Sequence, residues 1–516
     1  MKFRLLTLTV LSLICPLVNG QDTLVYFNEL HFNSDFEKQA LTKFIKQNDF
    51  NYMEVFMAID PSIDNAKFED AQLRYQTQFK SIYNEKVKSK RADKKLKIIY
   101  DEIHEAFLSQ YKERILFNSI FDNGQYNCVS ASALYSMALE EAEIPYIIKE
   151  RPTHVYVLAY PKNEQIVVEA TDPAGGYVKF NSSYKQAYID RMAKAKMISD
   201  AEVKSKSADL LFDEYYFTDT DINLTQLIGI QYINDAIYRV DNKDLEGAYQ
   251  QLEKAWMLYP SQKVNTLMLA FLAELINGQK YEELKYVGYL QKLSRYKAYD
   301  IDNEVIKSEF GRMINTHLIE NGDAKLLETF YNEFLQGISN TELESEISYL
   351  YNYEQGRALY NQGKFREALE YFEQAYTIKT SNLDINNILV TTLIRTMQND
   401  SNTEALVVLE KYKSKHVLLI ENNLFKSALV NTYLIEMGNS YDLSDEKRGL
   451  KYKGLYEELY DPQLTIDRNN IGRAYSLAGV YYFRKNNKSK ALKVINEGLN
   501  MAPHSHELLV RKRMIQ

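Results

Sequence analysis

One segment of the chain carries a cysteine in a setting that favours its nucleophilic form. Cys128 follows the run Gly124-Gln125-Tyr126-Asn127, and an apolar helical pattern begins directly after it. In the first turn of a helix, the dipole and the free backbone N–H groups stabilise a thiolate. The sequence therefore predicts a nucleophile at Cys128, with an inert buried thiol as the alternative.

A histidine and a carboxylate follow Cys128 at positions that suit a catalytic triad. His154 opens the Val- and Tyr-rich run His154–Tyr160, and Asp172 stands at the end of the next such run. If the two runs pair as strands, Asp172 can fix the imidazole tautomer while His154 accepts the thiol proton. Three alternatives stay open: His154 as a structural histidine, Asp172 as a turn residue before Pro173, and Glu169 as the carboxylate.

The order and surroundings of these residues resemble the transglutaminase-like superfamily. The matching segments are Asn127-Cys128, Ile144-Pro145, Thr153-His154-Val155-Tyr156-Val157 and Glu169-Ala170-Thr171-Asp172-Pro173. The resemblance implies a papain-like core and acyl-transfer chemistry by Cys128, His154 and Asp172. This chain departs from the family where Tyr156 comes two places after the histidine, because the aromatic residue after that histidine is often Trp in the family.

An oxyanion site would complete the predicted chemistry. Gln125 or Tyr126 is the candidate donor beside the backbone N–H of Cys128, as related enzymes use donors near the nucleophile.

No cofactor or metal site is predicted. Asp219, Asp221 and Asn223 imitate the start of a calcium loop, but Leu224 and Ile230 occupy the positions that need glycine and glutamate. The sequence also has no phosphate-binding glycine-rich loop, HExxH motif or paired CxxC motif.

The elements that must position the triad differ in their periodicity. From about 34 to 120 the apolar spacing predicts helices, beginning at the capping residue Ser34. Between Cys128 and Phe180 the pattern predicts one helix and then strands at Tyr146–Ile148, His154–Tyr160 and Gln165–Ala170. A small antiparallel sheet beside a helix is the expected assembly.

The C-terminal half shows the spacing of tetratricopeptide repeats. Small and aromatic packing residues recur in three copies: Gly356, Gly363, Phe365, Ala368, Tyr371, Phe372 and Ala375; Tyr475, Gly479, Ala491, Gly498 and Pro503; and Ala236, Ala248, Leu252, Ala255 and Pro260. Segments 264–345 and 383–470 are expected to be degenerate repeats, and the sequence does not fix where each repeat begins. The arm is expected to fold independently and to bind a protein or peptide.

The predicted organisation is an α+β transglutaminase-like (papain-like) core with a helical lead-in, followed by an all-α tetratricopeptide-repeat solenoid. The boundaries are a signal peptide at 1–20, a lead-in at 21–120, the core at 121–200, a linker at 201–224 and the repeat array at 225–516.

The N-terminus and the charge indicate an exported protein that does not bind nucleic acid. Lys2 and Arg4 precede an apolar run to Cys15, and short residues end at Gly20, which is the pattern of a cleaved signal. A lipoprotein signal is disfavoured because bulky Ile14 precedes Cys15. Cleavage would leave Cys128 as the only thiol of a periplasmic or secreted chain with no transmembrane segment. The net charge of −8 argues against a nucleic-acid partner.

These observations predict a thiol-dependent acyl-transfer enzyme that hydrolyses amides or peptides rather than crosslinking them, with a repeat arm that recruits a protein. The alternative is an exported, non-catalytic scaffold with an inactive transglutaminase-like domain. The substrate, the acyl acceptor and the oligomeric state are left open.

Overall fold

The computed structural model of the protein describes residues 23–49, 51–171 and 176–516. The predicted signal peptide at 1–20 and the candidate residue Asp172 therefore lie outside the described residues. The chain divides into two compact units, Met1–Gln279 and Lys280–Gln516.

The first unit begins with the helical lead-in that the sequence predicts. Its helices are α1 (Asp35–Leu41), α2 (Tyr52–Ala58), α3 (Asn65–Ile82), α4 (Glu85–Lys88) and α5 (Ala92–Phe107), with a 3₁₀ turn at Phe27–Glu29 and a π-helical turn at Thr42–Lys46. Phe68, Ala71, Tyr75 and Phe79 are spaced by three or four residues on α3 and are buried, so they form its core-facing stripe.

A short parallel pair of strands precedes the main sheet. Strands β1 (Gln110–Tyr111) and β2 (Gln125–Tyr126) pair with each other. Helix α6 (Ser119–Asn123) lies between them in the sequence and ends at Gly124, whose φ of 73° is the left-handed conformation that glycine adopts without strain. Helix α7 (Cys128–Glu141) follows β2 closely, and Asn127 is the single residue between them.

A five-stranded antiparallel sheet packs beside α7. Its strands are β3 (Tyr146–Arg151), β4 (His154–Ala159), β5 (Ile166–Val168), β6 (Tyr177–Lys179) and β7 (Thr220–Ile222), in the order β6-β5-β4-β3-β7. The three strands that the sequence predicts correspond to β3, β4 and β5. The small antiparallel sheet is thus present, and its two edge strands come from segments where the sequence predicted none.

Residues 201–224, which the sequence predicted to be a linker, contain regular structure. Helices α8 (Ser182–Lys194), α9 (Asp200–Ser205) and α10 (Ala208–Tyr216) lead into β7, which pairs with β3 from Ile148 to Glu150. Aromatic residues Phe180 and Phe217 pack on the sheet at Tyr156 and Leu158. This segment is therefore part of the sheet domain, because its apolar residues cover one face of the sheet.

Three helices that the sequence assigned to the repeat array also belong to the first unit. They are α11 (Leu224–Asp241), α12 (Leu245–Leu258) and α13 (Gln262–Ile276). Lys254 of α12 pairs with Glu37 of α1 at 2.7 Å, and both side chains are fully buried. The boundary between the units at Gln279 and the predicted start of the array at 225 therefore do not coincide.

The second unit is helical. Its helices are α14 (Lys285–Leu293), α15 (Asn303–Ile314), α16 (Ala324–Gln336), α17 (Thr341–Asn361), α18 (Phe365–Ile378), α19 (Leu383–Thr396), α20 (Asn402–Lys415), α21 (Asn423–Asp442), α22 (Glu446–Leu459), α23 (Arg468–Arg484), α24 (Lys488–Met501) and α25 (His506–Ile515). Shorter turns lie at Lys297–Tyr299, Asn315–Glu320 and Val417–Glu421.

Helices α17 and α18 show why small residues recur in the arm. A Cβ atom placed on Gly356 would lie 2.7 Å from the ring of Phe372, so only glycine allows α17 this close to α18. Ala368 and Ala375 on α18 are fully buried. In α23 and α24 the same role falls to Gly479, whose Cβ would meet Ile495 at 2.5 Å. Close helix contact at small residues is the packing that the repeat spacing predicts.

Candidate functional site

Cys128 is the first residue of α7 and is partly exposed. Asn127 caps the helix, because its side-chain oxygen accepts a hydrogen bond from the backbone N–H of Ser130 at 2.9 Å. The Ser130 hydroxyl in turn accepts from the backbone N–H of Asn127 at 2.9 Å. This capping box fixes the start of the helix and places the thiol at the positive end of the dipole, as the sequence predicts.

The cap is also tied to the loop after β1. The Asn127 amide nitrogen donates to the carbonyl oxygens of Glu113 at 3.1 Å and Ile115 at 3.2 Å. Asn127 is 2% exposed, so these bonds satisfy polar groups that have little access to water. One side chain thus fixes both the helix start and the chain segment in front of it.

The sheet brings His154 to the start of α7. His154 is the first residue of β4, and the next residue, Val155, accepts a hydrogen bond from Ser132 of α7 at 3.4 Å. The Cys128 thiol lies close enough to the His154 ring to raise the pKa of that ring. Cys128 and His154, predicted as partners from their types and order, therefore lie together in the structure.

Glu169 is the carboxylate that contacts His154. His154 Nε2 lies 2.6 Å from Glu169 Oε2, and the two side chains are 23% and 22% exposed. This contact leaves Nδ1 as the ring nitrogen available to the thiol. Glu169 was an alternative at the sequence level, and Asp172, the predicted partner, lies outside the described residues and stays a prediction.

Hydrogen bonds hold the Glu169 carboxylate in its charged form. Burial would raise the pKa of Glu169, but the hydrogen bonds from His154 and Thr171 bring it below its usual value. Thr171 donates to Oε1 from its backbone N–H at 3.1 Å and from its hydroxyl at 2.6 Å. One carboxylate oxygen is thus used to hold the loop and the other to hold the histidine.

The His154 ring is protonated over an extended pH range. Its contacts with the Cys128 thiol and with Glu169 raise the pKa of His154 to about 9, although burial opposes the shift. An imidazolium beside a thiol favours the thiolate, because the opposite charges attract. The ring beside Cys128 therefore carries its proton at neutral pH.

The ring of Tyr156 lies nearly parallel to the ring of His154. Its ring centroid lies 6.4 Å from that of His154, with 18° between the planes. The Tyr156 hydroxyl donates to Asp219 at 2.8 Å, and Asp219 also pairs with Arg151 at 2.9 Å. Asp219 is the first residue of the segment that imitates a calcium loop, and its carboxylate contacts Arg151 and Tyr156. Within the described residues, no group of three or more histidine, cysteine, aspartate and glutamate side chains could hold a metal ion.

The two candidate oxyanion residues lie in β2, directly before the cap. The Gln125 amide nitrogen donates to Gln110 at 3.2 Å. Tyr126 is 2% exposed and packs edge-on against His104 and Tyr111. In this arrangement their side chains hold β1 against β2, and an oxyanion role for either residue stays a prediction.

Two tyrosines near the thiol were missed at the sequence level. Burial is the main cause that raises the pKa of Tyr111, and the nearby Cys128 is the second cause. The same two causes raise the pKa of Tyr238 to about 12. The Tyr238 hydroxyl donates to the Glu113 carbonyl oxygen at 3.0 Å. Tyr238 lies on α11, far away in sequence, so no local pattern could have placed it at the site.

Comparison with known protein families identifies one repeat within the second unit. The tetratricopeptide repeat family model matches residues 349–382, which span most of α17 and all of α18. No curated protein matches the chain. The chain thus contains a tetratricopeptide repeat, and the comparisons give no match for a transglutaminase-like domain.

Two of the solved structures with some likeness to the chain are a tetratricopeptide repeat protein and a chain of a hetero-tetramer. A tetratricopeptide repeat protein from Parabacteroides merdae is 14% identical, with a TM-score of 0.17, and the alignment covers 56% of this chain and 98% of that one. The APC/C hetero-tetramer Cut9–Hcn1 is 12% identical, with a TM-score of 0.18, covering 93% and 95% of the two chains. Likeness at these scores supports no inference about this chain.

Proposed function

We propose that the first unit is a thiol-dependent acyl-transfer domain in which Cys128, His154 and Glu169 act together. The observation that carries the proposal is the His154 ring between the Cys128 thiol and the Glu169 carboxylate, with Nε2 and Oε2 2.6 Å apart. The order of Cys128 and His154 and the elements that carry them resemble the transglutaminase-like superfamily, whose third member is an aspartate, and this resemblance supports the proposal. Asp172 is the alternative third member.

The chemistry follows from these contacts. The Cys128 thiolate attacks the carbonyl carbon of an amide, and a C–S bond forms while the carbonyl oxygen gains the negative charge. As the C–N bond breaks, the His154 imidazolium gives its proton to the departing amine. His154, now neutral, then takes a proton from water, which attacks the thioester, releases the acid and restores the thiolate and imidazolium.

The oxyanion would be stabilised by the start of α7. The backbone N–H of Cys128 is among the first of the helix and has no intrahelical acceptor, so it is free to donate. Gln125 could add a second donor if its amide left Gln110. Because Cys128 is partly exposed, water can reach it, which favours hydrolysis over transfer to a second protein.

The repeat arm is proposed to bind the protein or peptide on which the first unit acts. Residues 349–382 match a tetratricopeptide repeat, and such repeats generally mediate protein interactions. The protein is further proposed to be exported, on the evidence of its N-terminal signal pattern. Among the helices that the structure describes, none is long and apolar enough to cross a membrane.

A peptide assay in heavy-oxygen water tests the proposed reaction. The full chain is incubated with a casein digest and an added alkylamine, and the products are identified by mass spectrometry. Hydrolysis places one heavy oxygen in the new carboxylate, whereas amine transfer gives the alkylamide. Neither product should form with Cys128→Ala. Equal products from the parent protein and this variant would overturn the proposal and favour a binding scaffold.

A further inference from the structure

Positive charge is concentrated in the segment 468–516, which forms α23, α24 and α25 of the second unit. Ten of the 62 Lys and Arg residues of the chain lie in this segment, but only two of its 70 Asp and Glu residues do. Because the whole chain has a net charge of −8, the residues before this segment are acidic as a group. Such a reversal of charge within one chain indicates a surface for an anionic partner.

Half of these cations lie at one end of the three helices. Helix α23 ends at Arg484 and α24 begins at Lys488, so a short turn joins the two helices. Lys488 Nζ donates to the carbonyl oxygen of Gln516 at 3.1 Å, which brings the end of α25 to the start of α24. The basic end of α23–α25 consists of the side chains that meet there, which are Arg484, Lys485, Lys488, Lys512 and Arg513.

The protein does not neutralise this end. Within the part of the chain that the structure describes, no carboxylate forms an ion pair with any of the five cations. Lys490, at the start of α24, pairs with Glu446 at 2.9 Å. Two further carboxylates lie on the turn between α21 and α22: Asp442 lines a small cavity with Arg484 and Lys485, and Asp445 caps α22. Five cations outnumber these two carboxylates, so the basic end keeps a positive charge.

Two large apolar side chains are exposed among these cations. Phe483 directly precedes Arg484 and is 47% exposed, and Met514 directly follows Arg513 and is 68% exposed. Proteins that lie on a membrane surface combine apolar side chains, which enter the headgroup region, with Lys and Arg side chains that attract anionic lipid. A soluble polyanion would contact the cations and leave Phe483 and Met514 in water. The combination therefore favours a lipid surface as the partner.

We propose that the basic end of α23–α25 binds the surface of an anionic lipid bilayer. Its five cations contact lipid phosphates, and the side chains of Phe483 and Met514 enter the layer between headgroups and acyl chains. The binding is peripheral and reversible, because it needs no helix that crosses the membrane. It does not depend on the reactivity of Cys128, so this proposal and the proposed function can fail separately.

Sedimentation with lipid vesicles tests the proposal on a chain that begins at residue 21, so that the apolar run before Cys15 does not contribute. Vesicles of phosphatidylcholine with about 30 mol% phosphatidylglycerol should bind the protein at least about tenfold more tightly than pure phosphatidylcholine vesicles. Raising the salt concentration to about 0.5 M should weaken this binding, because salt screens the charges. Equal binding to both kinds of vesicle would overturn the proposal. Binding of polyglutamate without binding of anionic vesicles would also overturn it and would indicate an acidic protein partner.

Matched variants locate the contact. Lys485→Gln combined with Arg513→Gln should weaken binding to the anionic vesicles at least about tenfold. Phe483→Ser combined with Met514→Ser should weaken it at least about fivefold, because these apolar side chains no longer enter the bilayer. Lys94→Gln combined with Lys95→Gln removes the same charge from α5 of the first unit and should leave the binding unchanged. Unchanged binding in either variant of the basic end, or a loss of binding only in the α5 variant, would contradict the proposal.

Discussion

His154 makes two contacts that together determine its charge. The carboxylate of Glu169 on one side and the thiol of Cys128 on the other raise the pKa of the ring to about 9. The ring is therefore expected to be an imidazolium at neutral pH, and its positive charge lies beside the Cys128 thiol. The reactivity of Cys128 is therefore expected to depend on both neighbours.

The choice between Glu169 and Asp172 is tested by paired isosteric variants. Glu169→Gln removes the charge that holds the His154 imidazolium, so labelling of Cys128 by iodoacetamide near neutral pH should slow by about tenfold. Asp172→Asn should leave the rate close to that of the parent protein. The reverse result, with a slow Asp172→Asn variant and a normal Glu169→Gln variant, would assign the role to Asp172.

The raised pKa of His154 also predicts how stability changes with pH. The unfolded ring titrates near about 6.5, so the stabilisation is fully present below that pH and is lost as pH rises through about 9. Urea unfolding can be followed by Trp256, the only tryptophan, which lies on α12 of the first unit. The parent protein should unfold at a higher urea concentration than His154→Gln at low pH, and this difference in urea midpoint should shrink as the pH rises through the window. A difference in urea midpoint that does not change with pH would contradict the raised pKa of His154.

For individual residues, local sequence patterns predicted two members of the site. Cys128 and His154 were predictable because a helix start and a strand start each have a local pattern. The contact between Glu169 and His154 depends on how the chain turns after β5, which residue types do not determine. Tyr238 reaches the site only through the packing of α11 and had no signal at all.

Among the elements, α7 depends most on its first residues. Asn127 makes the capping bond and also satisfies two backbone carbonyls of the loop at 113–115. Helix α11 provides a comparison, because Asn223 forms a capping box with Gln226 at the surface. The two caps share their chemistry and differ in burial.

This difference predicts unequal costs for removing the two caps. Asn223→Ala should lower the free energy of unfolding by about 1 kcal/mol, which is the usual value for a lost cap. Asn127→Ala should cost about 2 to 3 kcal/mol, because it also removes the two hydrogen bonds to the carbonyl groups of Glu113 and Ile115. Urea unfolding followed by Trp256 fluorescence measures both. Equal costs would show that the bonds to the loop contribute nothing.

The sequence predicted elements well where their periodicity is local. The helix after Cys128 and the strands β3 to β5 follow from apolar spacing and turn residues. Strand β7 was missed because Thr220–Ile222 is short and polar, and it becomes a strand only by pairing with β3. An edge strand of this kind is specified by its partner rather than by its own residues.

For the whole molecule, the boundary between the units follows buried polar contacts. Glu37 accepts from Lys254 at 2.7 Å and from the Tyr232 hydroxyl at 3.0 Å, so the lead-in and α11–α12 share one buried network. Repeat spacing alone places these helices in the arm. A periodic pattern identifies a helix pair but does not show which neighbour it packs against.

Two fragments test this assignment. Residues 280–516 should fold as a soluble, helical fragment, because its core is built from its own residues. Residues 225–516 should be less soluble, since Lys254 would lose its buried partner Glu37. Expression followed by circular dichroism and size-exclusion chromatography compares them. Equal solubility and helicity would favour the earlier boundary at 225.

The pH dependence of Cys128 alkylation tests the central claim most directly. A chain beginning at residue 21 is treated with iodoacetamide between about pH 5 and pH 10, and mass spectrometry locates the adduct. The parent protein should react well below the ordinary thiol pKa of about 8.5, and Cys128→Ala should not be labelled. His154→Ala should react only as pH approaches that value. Superimposable profiles for the parent protein and His154→Ala would contradict an activated thiol.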